Sequence, residues 1–148
     1  MARRGLRVAV DARPVDIEGL RERGIGRFAA NLVEQLVPVA SEAGGELVLL
    51  RTRGGRGSPY RGASAAPGTA EVLRLRRPPV PERIADLPEQ LLLPLDLRRA
   101  RVDVYHALSI YRAPVRAGVP AVVTIHDLIP LMWPGQLRTG IVHGLLYR

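Results

Sequence analysis

Cysteine is absent from the 148 residues, and so is lysine. The first absence excludes disulfides, thiolate nucleophiles and cysteine-ligated metals. The second makes all 22 basic residues arginine. That uniformity reads as codon bias, and it is not the lysine- and glutamate-rich signature of hyperthermophiles. Aromatic side chains are scarce, with four Tyr, one Trp and one Phe, so little is available for stacking on bases. No apolar run approaches the about 20 residues that a membrane-crossing helix needs. Arg7 and Asp11 also interrupt the N-terminal apolar run before it forms a signal core. A cytoplasmic chain is expected, with peripheral contact at the inner membrane face left open.

What remains is an ordinary globular composition, 47% hydrophobic and 24% charged. The length suits one domain, residues 1–148, with a sizeable core. The net charge of +8 attracts nucleic acid, anionic lipid or phosphorylated ligands. Its arginines come in bursts, "RTRGGR" at 51–56, "RLRR" at 74–77 and "RRAR" at 98–101. No nucleic-acid-binding signature accompanies them, so solvated loops and helix ends are the expected setting, and nucleic acid is the least favoured partner.

Periodicity orders the rest. "LRVAVD" (6–11) is a β-branched apolar run ending at a polar residue, as a buried parallel strand does. From Ile25 the apolar positions 25, 28, 29, 32, 33, 36, 37 and 40 follow helical spacing, and Gly44-Gly45 ends the pattern. "ELVLLR" (46–51) predicts a second strand. Residues 53–70 are rich in Gly, Ser, Ala and Pro and predict a mobile loop. "EVLRLR" (71–76) alternates, which suits an edge strand. A helix over 82–100 is expected to be kinked or split by Pro88 and Pro94. "VDVYHA" (102–107) and "VPAVVTIHD" (119–127) predict two more strands, and a last helix begins near Gln136. Alternating strands and helices predict an α/β fold: an open, mostly parallel, Rossmann-like sheet with helices on both faces.

In such a sheet ligands gather at the carboxyl ends of the strands. That edge carries Asp11, His106, His126 and Asp127, with the Gly24–Arg27 loop beside them. Gly24 and Gly26 precede a helix, where backbone N–H groups can close around a phosphate and Arg27 can clamp it. Taken alone, the pair reads first as a turn or helix entry. About a dozen residues separate them from the first strand, unlike the dinucleotide fingerprint, so nicotinamide binding is not expected. His126 either meets a phosphate or sugar hydroxyl or is satisfied by a backbone carbonyl, with Asp127 capping the next turn. His106 ends its strand in the same way, and Ser109 is the serine near a strand end. His143 and the other two histidines show no metal-ligand spacing, so no metal is expected. Trp133, between two prolines, reads as a packing anchor.

"RVAVDARP", "GIGRFAANLVEQL", "VDVYHALS" and "GVPAVVTIHDLIPLMWP", in that order, resemble the N-terminal half of family 4 glycosyltransferases of the GT-B fold, in the mannosyltransferase-like branch. The resemblance covers nearly the whole chain except 53–70. It implies an acceptor-side domain of a retaining, metal-independent enzyme. Such an enzyme moves a sugar from a nucleotide-diphospho-sugar to a saccharide or lipid-linked acceptor. The nucleotide-diphospho-sugar is a donor substrate, so no cofactor is expected. Gly24, Gly26 and Arg27 would approach the donor diphosphate, and His126 would lie near the transferred sugar. Asp127 would orient, and His106 and Ser109 would line the acceptor side of the cleft. The family's C-terminal donor domain, with its Glu-x7-Glu region, is not in this sequence. The chain alone is therefore expected not to transfer sugar, as a fragment, a truncated product or one half of a split enzyme. The alternative is a non-catalytic module that buries its open apolar surface by binding a partner chain or another copy.

Overall fold

The computed structural model describes residues 5–16, 24–52, 70–75, 86–109, 113–128 and 132. The expected loop at 53–70, apart from Ala70, which begins a strand, and "PPVP" at 78–81, Trp133 and the last helix from Gln136 lie outside these residues.

Five parallel strands form one sheet: β1 (Arg7–Asp11), β2 (Glu46–Thr52), β3 (Ala70–Leu75), β4 (Val104–Ala107) and β5 (Ala121–Val123). Their spatial order is β3-β2-β1-β4-β5. β1 pairs with β2 from Arg7 opposite Glu46 to Asp11 opposite Leu50, and with β4 from Val8 opposite Val104 to Val10 opposite His106. β3 is an edge strand as its alternation predicts, with Glu71, Val72 and Arg74 exposed. β4 and β5 are shorter than the sequence suggests, and the chain from Thr124 to Asp127 continues past the ladder.

Side-chain alternation sends successive residues to opposite faces, and each face has its own helix. Val10, Leu47 and Leu49 meet Ala29 and Val33 of α1 (Gly24–Glu42). Ala9, Val48, Leu50, Leu75 and Tyr105 meet Leu93 and Leu97 of α2 (Asp86–Arg99). Leu97 is fully buried, so truncating it to Ala would cost roughly 2–5 kcal/mol.

α2 is one helix from Asp86 to Arg99, so the expected split does not occur. Pro88 falls in the first turn, where a missing N–H removes no helical bond, and Pro94 is accommodated inside. α1 ends where expected. Gly44 adopts φ +65° and its N–H donates to the Ser41 carbonyl, while the Gly45 N–H donates to Ala40. That pair of bonds is the Schellman ending, which needs a residue free to enter the left-handed region.

Candidate functional site

Because β1 leads through α1 to β2 on one side while β4 lies on the other, the strand order reverses between β1 and β4. In open parallel sheets a crevice opens outside the carboxyl ends at such a reversal. The residues that end these strands, and the segments that follow, therefore define the site.

The end of β1 is closed by charge. Asp11 and Arg13 are 2% and 0% exposed, so Asp11 is not presented to the crevice as the sequence suggests. The Arg13 guanidinium donates from Nε to Asp11 Oδ1 at 2.6 Å and from a terminal nitrogen to Oδ2, and its backbone N–H also bonds Oδ1 at 3.2 Å. The Tyr105 hydroxyl, from the neighbouring strand, donates to Asp11 Oδ2 at 3.3 Å. Burial and the Asp11 carboxylate both push the Tyr105 phenol far above its ordinary value, so it stays a donor. For Arg13 burial disfavours the charge, and the Asp11 carboxylate more than offsets it, raising the pKa.

The chain then makes a short 3-10 turn (Arg13–Asp16). Asp16 anchors it across β2: its carboxylate accepts from the Arg51 guanidinium, from the Thr52 backbone N–H at 2.8 Å and from the Thr52 hydroxyl at 2.9 Å. Arg51, the first arginine of the 51–56 burst, is 2% exposed. This corrects the expectation of a solvated loop arginine. A guanidinium can be buried at the end of an otherwise apolar strand when a carboxylate takes its donors.

Beyond the turn, α1 begins at Gly24, exposed and at φ +43°, a conformation that a side chain would strain. Arg27 and Phe28 are exposed, whereas Gly26 is buried on the sheet-facing side. The two glycines thus differ: Gly24 holds a left-handed conformation, and Gly26 is buried three residues before Ala29 on the same helix face.

The Phe28 ring meets the His126 ring edge-on, with centroids 4.8 Å apart and planes at 80°. Such a pair contributes about 0.5–1.5 kcal/mol. His126 Nε2 donates to the Leu108 carbonyl at 2.8 Å. That bond fixes the ring and, in its neutral form, leaves Nδ1 as an acceptor. His126 therefore follows the backbone-carbonyl reading at one nitrogen, while the residue as a whole stays exposed. Asp127 is exposed beside it.

His106 is half-buried, with Nε2 2.9 Å from the Thr124 hydroxyl, and burial holds its pKa below the ordinary value. Ser109 is buried at 8% exposure on the stretch that also carries the Leu108 carbonyl. The structure so brings the start of α1, the end of β4 and the segment after β5 to one edge. Arg13, Tyr105, Asp16, Phe28 and Thr124 went unnoticed as site-shaping residues. Asp-x-Arg before a proline, at a strand end, is the signal that could have exposed the first pair.

Among the described residues no group of three or more His, Asp or Glu could hold a metal ion. No helix among them is long and apolar enough to cross a membrane. Comparison with protein-family models, curated proteins and solved structures finds no match for this chain.

Proposed function

We propose that this domain is the acceptor-side wall of a nucleotide-sugar-dependent glycosyltransferase of the GT-B type. The observation that carries the reading is the Phe28–His126 contact. It joins the "GIGRF" helix start to the "VTIHD" strand end on one carboxyl edge, and those are the two segments on which the resemblance rests.

The donor diphosphate lies against the start of α1, where N–H groups and Arg27 stabilise the charge that develops as the glycosidic bond breaks. His126, clamped through Nε2, accepts a sugar hydroxyl at Nδ1 and so orients the sugar for attack by the acceptor. Asp127 supports that segment, and His106 and Ser109 border the acceptor side. The facing wall is a donor-binding domain, on the same polypeptide or a separate one.

Titrating uridine and guanosine diphosphate sugars into the isotopically labelled chain tests this. Amide shifts should concentrate at 24–28 and 124–127 and vanish in His126→Ala. Shifts scattered elsewhere, or none at millimolar ligand, would sink the proposal. In transfer assays with the donor-binding domain present, His126→Ala should reduce turnover on the order of a hundredfold.

A further inference from the structure

α2 carries apolar residues that packing does not require. Its inner side, Leu93 and Leu97, is buried on the sheet. The outward side of a soluble crossover helix is ordinarily polar. Here Leu91, Leu92 and Leu95 stand 62%, 38% and 47% exposed. One turn further along, Arg98 and Arg99 are exposed on that outward side, with Arg101 exposed just beyond the helix.

Segment 113–118 widens the patch. Gln90 holds it against α2, accepting from the Val115 N–H at 2.8 Å and donating to the Ala113 carbonyl at 3.5 Å. Ala113 and Ala117 turn into the core, which leaves Val115, 63% exposed, and Arg116 facing outward. Asp96 is the acid among the described side chains here, partly buried and 3.8 Å from the Arg99 guanidinium.

We propose that this face docks on an anionic lipid surface. Leu91, Leu95 and Val115 enter the headgroup layer while Arg98, Arg99 and Arg116 pair with lipid phosphates. Neither signal suffices alone, and apolar insertion combined with basic attraction is what holds a peripheral protein. Arginine suits the boundary because its stem can lie along apolar surface while the guanidinium forks onto a phosphate. Charge chooses among partners. A second copy docked through the same patch about a two-fold axis would set arginine against arginine. A nucleic-acid backbone would satisfy the arginines but leave the leucines and Val115 without a role. The inference does not depend on the glycosyl-transfer reading.

Flotation of the full chain with vesicles tests it. The chain should rise with vesicles of equal parts phosphatidylglycerol and phosphatidylcholine and stay behind with phosphatidylcholine alone. Arg98→Gln with Arg99→Gln should weaken partitioning on the order of thirtyfold. Leu91→Ser with Leu95→Ser should bind only at low salt, with unfolding midpoints close to wild type. Arg74→Gln, exposed on the opposite face of β3 from Leu75, should change little. Failure of the wild type to float overturns the proposal, and so does an Arg74→Gln loss equal to that at Arg98 and Arg99, which would mean diffuse charge. A leucine-dependent change of oligomeric state in light scattering, or salt-sensitive RNA binding without vesicle binding, overturns it in favour of those partners.

Discussion

Arginine meets carboxylate at both ends of this sheet, and the two ends differ in burial. At the amino edge Arg7 reaches Glu46 and Glu71, whose side chains are 61% and 54% exposed. At the carboxyl edge the side chains of Arg13 and Arg51 are 0% and 3% exposed, and those of their partners Asp11 and Asp16 are 3% and 1% exposed. Water competes for the first set of charges and hardly reaches the second. An exposed pair contributes little because solvent screens it, whereas a buried pair broken on one side leaves an uncompensated charge. The same residue type therefore trims a surface at one end and locks a site-bearing edge at the other.

Breaking the buried end should have the largest effect. Asp11→Ala removes the carboxylate paired with the buried Arg13 guanidinium and the acceptor of Tyr105, so denaturant unfolding should show a loss of about 3–5 kcal/mol. Asp11→Leu combined with Arg13→Met removes both charges together and should recover most of that loss. If the double variant is as unstable as the single one, the burial argument fails.

Asp16→Ala should follow at about 3 kcal/mol, since Arg51 loses its carboxylate while the Thr52 groups can turn to water. It should also loosen the 3-10 turn, read as faster amide exchange over residues 13–16. Glu46→Gln at the amino edge should cost less than about 1 kcal/mol, shrinking further in high salt. A loss as large as that of Asp11→Ala would abolish the contrast.

The smallest effect is expected from His106, which is half-buried and bonded to a hydroxyl in place of a charge. Burial lowers its pKa from 6.5, so the unfolded ring binds a proton at higher pH than the folded one. Stability is then complete above the unfolded value and declines as pH falls from there through the folded value. His106→Gln should flatten the thermal midpoint between about pH 7 and 5. A midpoint that rises on acidification through His106 would reverse the sign of this reading.

Much of the architecture was legible because backbone periodicity is local. The apolar rhythm from Ile25 and the double glycine at 44–45 located α1, and the alternation of 71–76 located an edge strand. Where lengths were misjudged, the cause is tertiary. "VPAVVTIHD" has strand propensity throughout, yet pairs only at 121–123, because β4 offers partners only from Tyr105 to Ala107. Pro88 reads as a breaker until its position in the first turn is known. The candidate edge was legible by residue type in part: His106 lies on β4 near its carboxyl end, and His126 lies past the end of β5. Their hydrogen-bond partners, Thr124 and Leu108, were not, because each lies 18 residues away across neighbouring segments.

By itself, then, the sequence determined the five described strands, the two described α-helices and their parallel arrangement, because these follow from side-chain period and strand–helix alternation. Only the tertiary structure decided which polar groups remain available. Asp11 and Arg51 look equally accessible in the sequence, but the sheet seals them into ion pairs, while His126 keeps an exposed ring held between a carbonyl and Phe28. Burial and pairing depend on segments brought together from distant parts of the chain, and no local pattern encodes them.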